Sequence, residues 1–96
     1  MIRHTVVFTL KHPAGSAEER KFLADALVLE RIPTVRKFER LKQVSAKNDY
    51  KFGFSMEFAD QAAYDTYNTH PDHVAFVRDR WKTEVAGFME IDYVAI

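Results

Sequence analysis

Titratable side chains gather in one stretch of this chain, Tyr67-Asn68-Thr69-His70-Pro71-Asp72-His73. Proline suits the first position of a helix, so Pro71 should open one and put His73 in its first turn. Free backbone N–H groups and the positive end of the helix dipole face that turn. Both disfavour imidazolium, which leaves a neutral imidazole near pH 7 that can take a proton from a carbon acid. The same helix end could hold an enolate, a carboxylate or a phosphate. Tyr67 closes the helix before the break, and its hydroxyl could meet His73 and polarise a carbonyl. His73 as general base and Tyr67 as hydrogen-bond donor are thus the candidate catalytic pair. The plainer alternative is a histidine bonded within the turn and a tyrosine filling the core.

The other candidates divide in the same way. His4 lies on an apolar strand face beside Val6, either as a satisfied core histidine or as the lining of a pocket. His70 precedes proline, is therefore extended, and should brace the corner. His70, Asp72 and His73 include metal-ligand types, but Pro71 takes His70 out of the helix and no distant third ligand is evident, so no metal site is assigned. His12 sits in a loop and is expected in solvent. Asp92, on an edge strand, should face solvent or cap a partner. The chain has no glycine-rich phosphate loop and no Gly-x-Ser-x-Gly elbow, and nothing in it calls for a nucleotide, flavin, haem or other cofactor.

These groups need a scaffold. Residues 2–10 alternate, with Ile2, His4, Val6, Phe8 and Leu10 on one face, as a β-branched strand does. Lys11 to Gly15 is a loop, and Ser16-Ala17-Glu18-Glu19 is a capping box that starts a helix. Phe22, Leu23, Ala26 and Leu27 give that helix an apolar stripe, and Pro33 ends it by about residue 31. Residues 35–44 read as a charged edge strand, 45–49 as a hairpin loop, and 50–58 as a strand with Phe52, Phe54, Met56 and Phe58 on one face. Asp60 caps a short helix, 61–68. From Pro71, the residues Val74, Val77, Trp81, Val85 and Phe88 recur at helical spacing through about residue 86, Gly87 ends the helix, and Met89, Ile91, Tyr93 and Ala95 mark the last strand.

The order β-α-β-β-α-β is the split βαβ, ferredoxin-like arrangement, an α+β fold with helices on one face of an antiparallel four-stranded sheet. Residues 1–96 form a single domain with no repeat or linker. Val6 and Val7 show that the first strand is apolar on both faces. The face away from the helices therefore needs a cover, and a second copy packed sheet to sheet, closing a barrel, would supply it.

Composition narrows the function. The formal net charge is zero, so neither nucleic acid nor an anionic membrane is expected as a partner. The basic run of Arg36, Lys37, Arg40 and Lys42 is better explained as a charged edge strand. There are no cysteines, which excludes disulfides, thiolate catalysis and cysteine-based zinc sites. No apolar run reaches the ~20 residues of a membrane span, and the first residues carry no apolar leader, so a cytoplasmic protein is expected. The eight Phe, four Tyr and one Trp must be buried in a core, a pocket or an interface.

Several landmarks coincide: His4 with Val6 and Phe8, Ile32-Pro33, Phe58-Ala59-Asp60, the Tyr67 to His73 run, and Asp92-Tyr93. Together they resemble the stress-responsive α/β-barrel (Dabb) family of dimeric ferredoxin-like proteins, across nearly the whole chain. The Tyr-x-x-His-Pro-x-His run is the most specific part. The resemblance implies a homodimer and a small hydrophobic ligand pocket between sheet and helices. Many members have no assigned activity. A few, of the olivetolic acid cyclase type, are cofactor-free polyketide cyclases that use a tyrosine and a histidine of this run, here Tyr67 and His73, with His4 lining the pocket. Phe52 stands where the cyclase can carry another pocket histidine, and Ala24-Asp25-Ala26 where it carries a pocket tyrosine, so the cyclase substrate is not carried over. On this reading Phe8, Phe54, Phe88 and Trp81 join His4 in the pocket wall. Three functions stay open: a cofactor-free cyclase or lyase, a non-catalytic small-molecule binder, and a stress-protective oligomer whose aromatics fill the cavity.

Overall fold

The structure, a computed structural model, describes residues 1–96. Strands β1 (Ile2–Leu10), β2 (Arg36–Lys42), β3 (Phe52–Phe58) and β4 (Val85–Tyr93) form one antiparallel sheet in the order β2-β3-β1-β4. Helices α1 (Ala17–Asp25), α2 (Gln61–Thr69), α3 (Pro71–Phe76) and the short α4 (Lys82–Glu84) supply the two crossovers. Strand parity decides which side chains meet the helices. His4, Val6 and Phe8 pair with Met56, Phe54 and Phe52 on one side and with Asp92, Glu90 and Phe88 on the other. Phe8, Phe22, Phe58, Ile32 and Met56 are sealed at the centre of the resulting core. No helix is long and apolar enough to cross a membrane.

Local chemistry sets the helix ends. The Ser16 hydroxyl accepts from the Glu19 N–H, and the Glu19 carboxylate reaches back to the Gly15 N–H. The α-helix gives way at Ala26 to a 3₁₀ segment, Ala26–Arg31. A 3₁₀ turn stacks every third residue, so Ala26, Leu29 and Ile32 enter the core. Leu27, expected in the buried stripe, is turned outward.

The second crossover departs further from simple helical spacing. Beyond α3 lies a π turn, Val77–Trp81, which widens the helix by one residue. Phe76 and Trp81 thereby come to the same side, each against Phe22 (ring centroids 5.4 and 6.3 Å). Val74, which helical spacing places in the stripe, is exposed. The helix ends at Glu84, not at Gly87, because Val85 is already extended. Gly87 pairs with Thr9 inside β4, beside a register shift between Thr9 and Leu10. The last strand therefore starts before Met89, and Phe88 belongs to the sheet.

The opposite sheet face has no helix. Val7, Met89, Ile91, Tyr93 and Leu41 lie on it, with Glu57 clamped between Arg3 and Lys37 at 3.5 and 3.3 Å. Edge strand β2 carries a bulge in which Lys37 takes φ 51°, and Phe38 folds over to Phe54.

Candidate active site

Between the sheet and the crossover helices lies a cavity of about 450 Å³. His4, Phe54, Tyr67, His73, Trp81 and Phe88 are among the residues that line it. That is ample for a small organic ligand, since ligand pockets start at about 300 Å³.

The break between α2 and α3 is built by its own side chains. The Asp60 carboxylate caps α2 by accepting from the Ala63 N–H at 2.9 Å. His70 is extended (φ −64°, ψ 135°), and its Nδ1 accepts from the Asp72 N–H at 3.1 Å, capping the helix that Pro71 opens. His70 is thus a corner residue, as its place before proline implied. No three His, Asp or Glu side chains come together as a metal site.

This corner delivers Tyr67 and His73 to one place, with ring centroids 4.3 Å apart. His73 Nδ1 lies 3.1 Å from the Asn68 carbonyl oxygen. A carbonyl only accepts, so Nδ1 carries the hydrogen and Nε2, which has no partner, carries the lone pair. Burial lowers the His73 pKa below its ordinary 6.5, against the opposing pull of the Asn68 hydrogen bond. The neutral form therefore prevails at neutral pH. Tyr67 is almost fully buried, yet its hydroxyl has no partner in the protein and is not sealed from the cavity. Burial, helped by the negative charge of Glu90, raises its pKa and keeps the phenol protonated. A fixed donor and a fixed acceptor thus share one apolar chamber.

His4 enters from the sheet and is held by two partners. Its Nδ1 lies 2.6 Å from Asp92 Oδ1, and the Tyr64 hydroxyl sits 2.8 Å from that nitrogen while donating to Asp92 Oδ2 at 2.9 Å. Asp92, expected in solvent or on a partner, is instead turned to the helix side by its pairing with His4. Of the expected wall, Phe54, Phe88 and Trp81 are in place, whereas Phe8 lies behind it, sealed at 4.7 Å from Phe54 and 5.0 Å from Trp81. Sequence reasoning missed Tyr64, Phe76 and Glu90. Tyr64 stands one turn before Tyr67 on the same helix face, which was a usable signal. His12, expected in solvent, is half-buried and bonded to Glu84 at 2.7 Å.

The model of the stress-responsive A/B barrel domain family matches residues 2–95. Among solved structures, the chain is similar to a Dabb family protein with a ferredoxin-like fold from Mesorhizobium loti, with 67% identity, TM-score 0.98, and 99% of this chain and 96% of that one covered. It is similar in fold to a dimeric ferredoxin-like protein of unknown function from Bacteroides fragilis (20% identity, TM-score 0.74, coverage 98% and 95%). It is also similar in fold to a hydroxynitrile lyase from Passiflora edulis (14% identity, TM-score 0.84, coverage 99% and 93%). No curated protein matches the chain by sequence.

Proposed function

The chain belongs to the stress-responsive A/B barrel family, and on that premise we propose that it acts as a homodimer whose cavity binds a small, largely apolar carbonyl compound and moves a proton at the carbon beside the carbonyl. His73 Nε2 takes the α-proton, the C–H electron pair passes to the carbonyl oxygen, and the Tyr67 hydroxyl donates a hydrogen bond to that oxygen as charge develops there. The resulting enol or enolate is the nucleophile of an aldol-type ring closure or the leaving fragment of its reverse. The aromatic part of the wall lowers the local polarity, which strengthens both interactions.

One observation carries this reading: the Tyr67 hydroxyl and the His73 Nε2 both lack partners and belong to side chains lining one cavity. An unpaired phenol hydroxyl and a bare imidazole nitrogen that open into one largely apolar cavity favour a ligand-directed role. The open cavity also speaks against an oligomer whose aromatics fill it. The dimer is supported by the uncovered apolar sheet face and by structural neighbours described as dimeric.

The test is deuterium wash-in to phenylacetone, a neutral enolisable ketone, followed by NMR in D₂O. Wild-type protein is expected to accelerate exchange. His73→Ala, with the fold verified by circular dichroism, should lose about 100-fold or more of that acceleration. Equal exchange with and without wild-type protein would overturn the proposal. Retained binding of the ketone, without exchange, would assign the cavity to a binder instead.

A further inference from the structure

We propose that Glu90 sets the charge of the ligand this cavity accepts, so that the ligand is a neutral or ammonium-bearing carbonyl compound and not a keto acid or other carboxylate. The inference rests on the reading of the cavity as a ligand site and names the class of ligand. Strand parity places the residue. Glu90 pairs with Val6 in the β1–β4 register, and Val6 pairs with Phe54 on its other side. This row of three crosses the floor of the cavity, and all three side chains line it. Because β4 is an edge strand, the row ends in a carboxylate at the margin of the sheet.

That margin is the mouth of the cavity. Val6, Phe54 and Tyr67 are buried, whereas Phe88 is 52% exposed and Glu90 and Lys82 are exposed as well. A ligand therefore enters between β4 and the helical segment that carries Lys82, and it passes Glu90. The neighbours of Glu90 on the helix-facing side of β4 are both engaged. Asp92 is bonded to His4 and Tyr64, and Phe88 packs on Trp81 at 5.5 Å. Glu90, between them, is the one acidic side chain of the cavity wall and has neither a hydrogen bond nor an ion pair within the protein.

Its charge reaches the reactive pair. Burial raises the Tyr67 pKa and lowers that of His73; the negative charge of Glu90 adds to the first shift and opposes the second. Lys82, although it also lines the cavity, acts on neither. The cavity is thus negative where the polar end of a ligand sits. A carboxylate there meets a like charge, with apolar walls around it and no cation to balance it. A neutral ketone meets no such penalty, and a hydroxyl or ammonium donor finds a partner in the free carboxylate. The same charge suits proton transfer, because His73 becomes an imidazolium when it takes the α-proton and a nearby carboxylate favours that form.

The probes that test this are phenylacetamide and phenylacetate, which match in size and differ in charge. Trp81 is the only tryptophan of the chain and lines the cavity, so its single indole N–H signal in ¹H–¹⁵N NMR reports occupancy without any turnover. At pH 7 and low salt, wild type should bind phenylacetamide about 10-fold more tightly than phenylacetate. Glu90→Gln keeps the size of the side chain and removes its charge, and it should bring the two affinities within about 2-fold of each other. In ~1 M salt the wild-type preference should shrink, because the mouth is open to screening. Phenylacetate bound by wild type as tightly as phenylacetamide, or a preference that survives Glu90→Gln, overturns the role of Glu90. The expected preference without deuterium exchange into phenylacetone overturns the proton-transfer reading and leaves Glu90 standing. An indole signal that responds to neither probe overturns the ligand cavity and the role of Glu90 together.

Discussion

Removing one hydroxyl from each of two neighbouring tyrosines should have opposite effects. Tyr64 and Tyr67 lie one turn apart on α2, with ring centroids 6.4 Å apart, and both are buried. The Tyr64 hydroxyl is 2.9 Å from Asp92 Oδ2 and 2.8 Å from His4 Nδ1. A hydrogen bond to a charged group contributes about 1.5–3 kcal/mol. The Asp92 side chain is 41% exposed, so water replaces part of what is lost. The cost of Tyr64→Phe therefore sits near the lower end, ~1–2 kcal/mol. The Tyr67 hydroxyl has no partner in the fold, so Tyr67→Phe breaks nothing and should leave stability within ~0.5 kcal/mol of wild type, or raise it. The assay is urea unfolding followed by far-ultraviolet circular dichroism, at equal protein concentration because the proposed dimerisation would add to apparent stability. With a slope near ~1 kcal/mol per molar for a chain this short, Tyr64→Phe should lower the midpoint by ~1 M or more at unchanged slope. In catalysis the order inverts: Tyr67→Phe loses α-proton exchange. Equal destabilisation by the two substitutions would refute the reasoning, because it would mean that the Tyr67 hydroxyl is already satisfied within the fold.

Three further outcomes follow from the same geometry. His73 is held below its ordinary pKa of 6.5 by burial, so its base form persists as pH falls and the acid limb of the exchange rate should lie below pH 6.5; a limb above that value contradicts a buried neutral base. Arg80 bonds both Asp25 and Glu84. Arg80, with help from Lys21, lowers the Asp25 pKa; burial would raise that of Glu84, but hydrogen bonds from Arg80 and His12 outweigh it. Folded pKa values below the ordinary 3.8 and 4.5 mean stability present above those values and lost as pH falls through the folded ones, so acid titration of Arg80→Met should show a shallower loss in that window than wild type. If the proposed dimer forms through the open sheet face, Ile91→Lys should convert it to monomer in light scattering while the cavity residues stay folded; an unchanged mass would contradict a dimer contact on that face.

Much of this architecture was legible in strand parity. The alternation of Ile2 to Leu10 and of Phe52 to Phe58 identifies the two central strands and the face that meets the helices, and with it the sidedness of His4. The Pro71 corner was legible too, since one residue type fixes both the extended His70 and the helix that carries His73. What escaped depends on departures from regular helical pitch. Leu27 and Leu29 exchange roles because the helix tightens to 3₁₀, and Phe76 replaces Val74 in the core because a π turn adds one residue to the following turn. No residue pattern announces either change; the π turn is what sets both Phe76 and Trp81 against Phe22. Asp92 escaped for another reason. Its partner His4 is 88 residues away, and the β1–β4 register is set by the assembled sheet with no hairpin between the strands. A carboxylate on an edge strand reads as solvated until that register is known.

The central claim is that Tyr67 and His73 act as one unit on one ligand, and a double-substitution cycle on phenylacetone exchange tests it most directly. The rates of wild type, Tyr67→Phe, His73→Ala and the double variant are compared. Groups acting on the same transition state are strongly non-additive. The account predicts that the double variant is no slower than His73→Ala alone. Two independent losses that multiply in the double variant would contradict it.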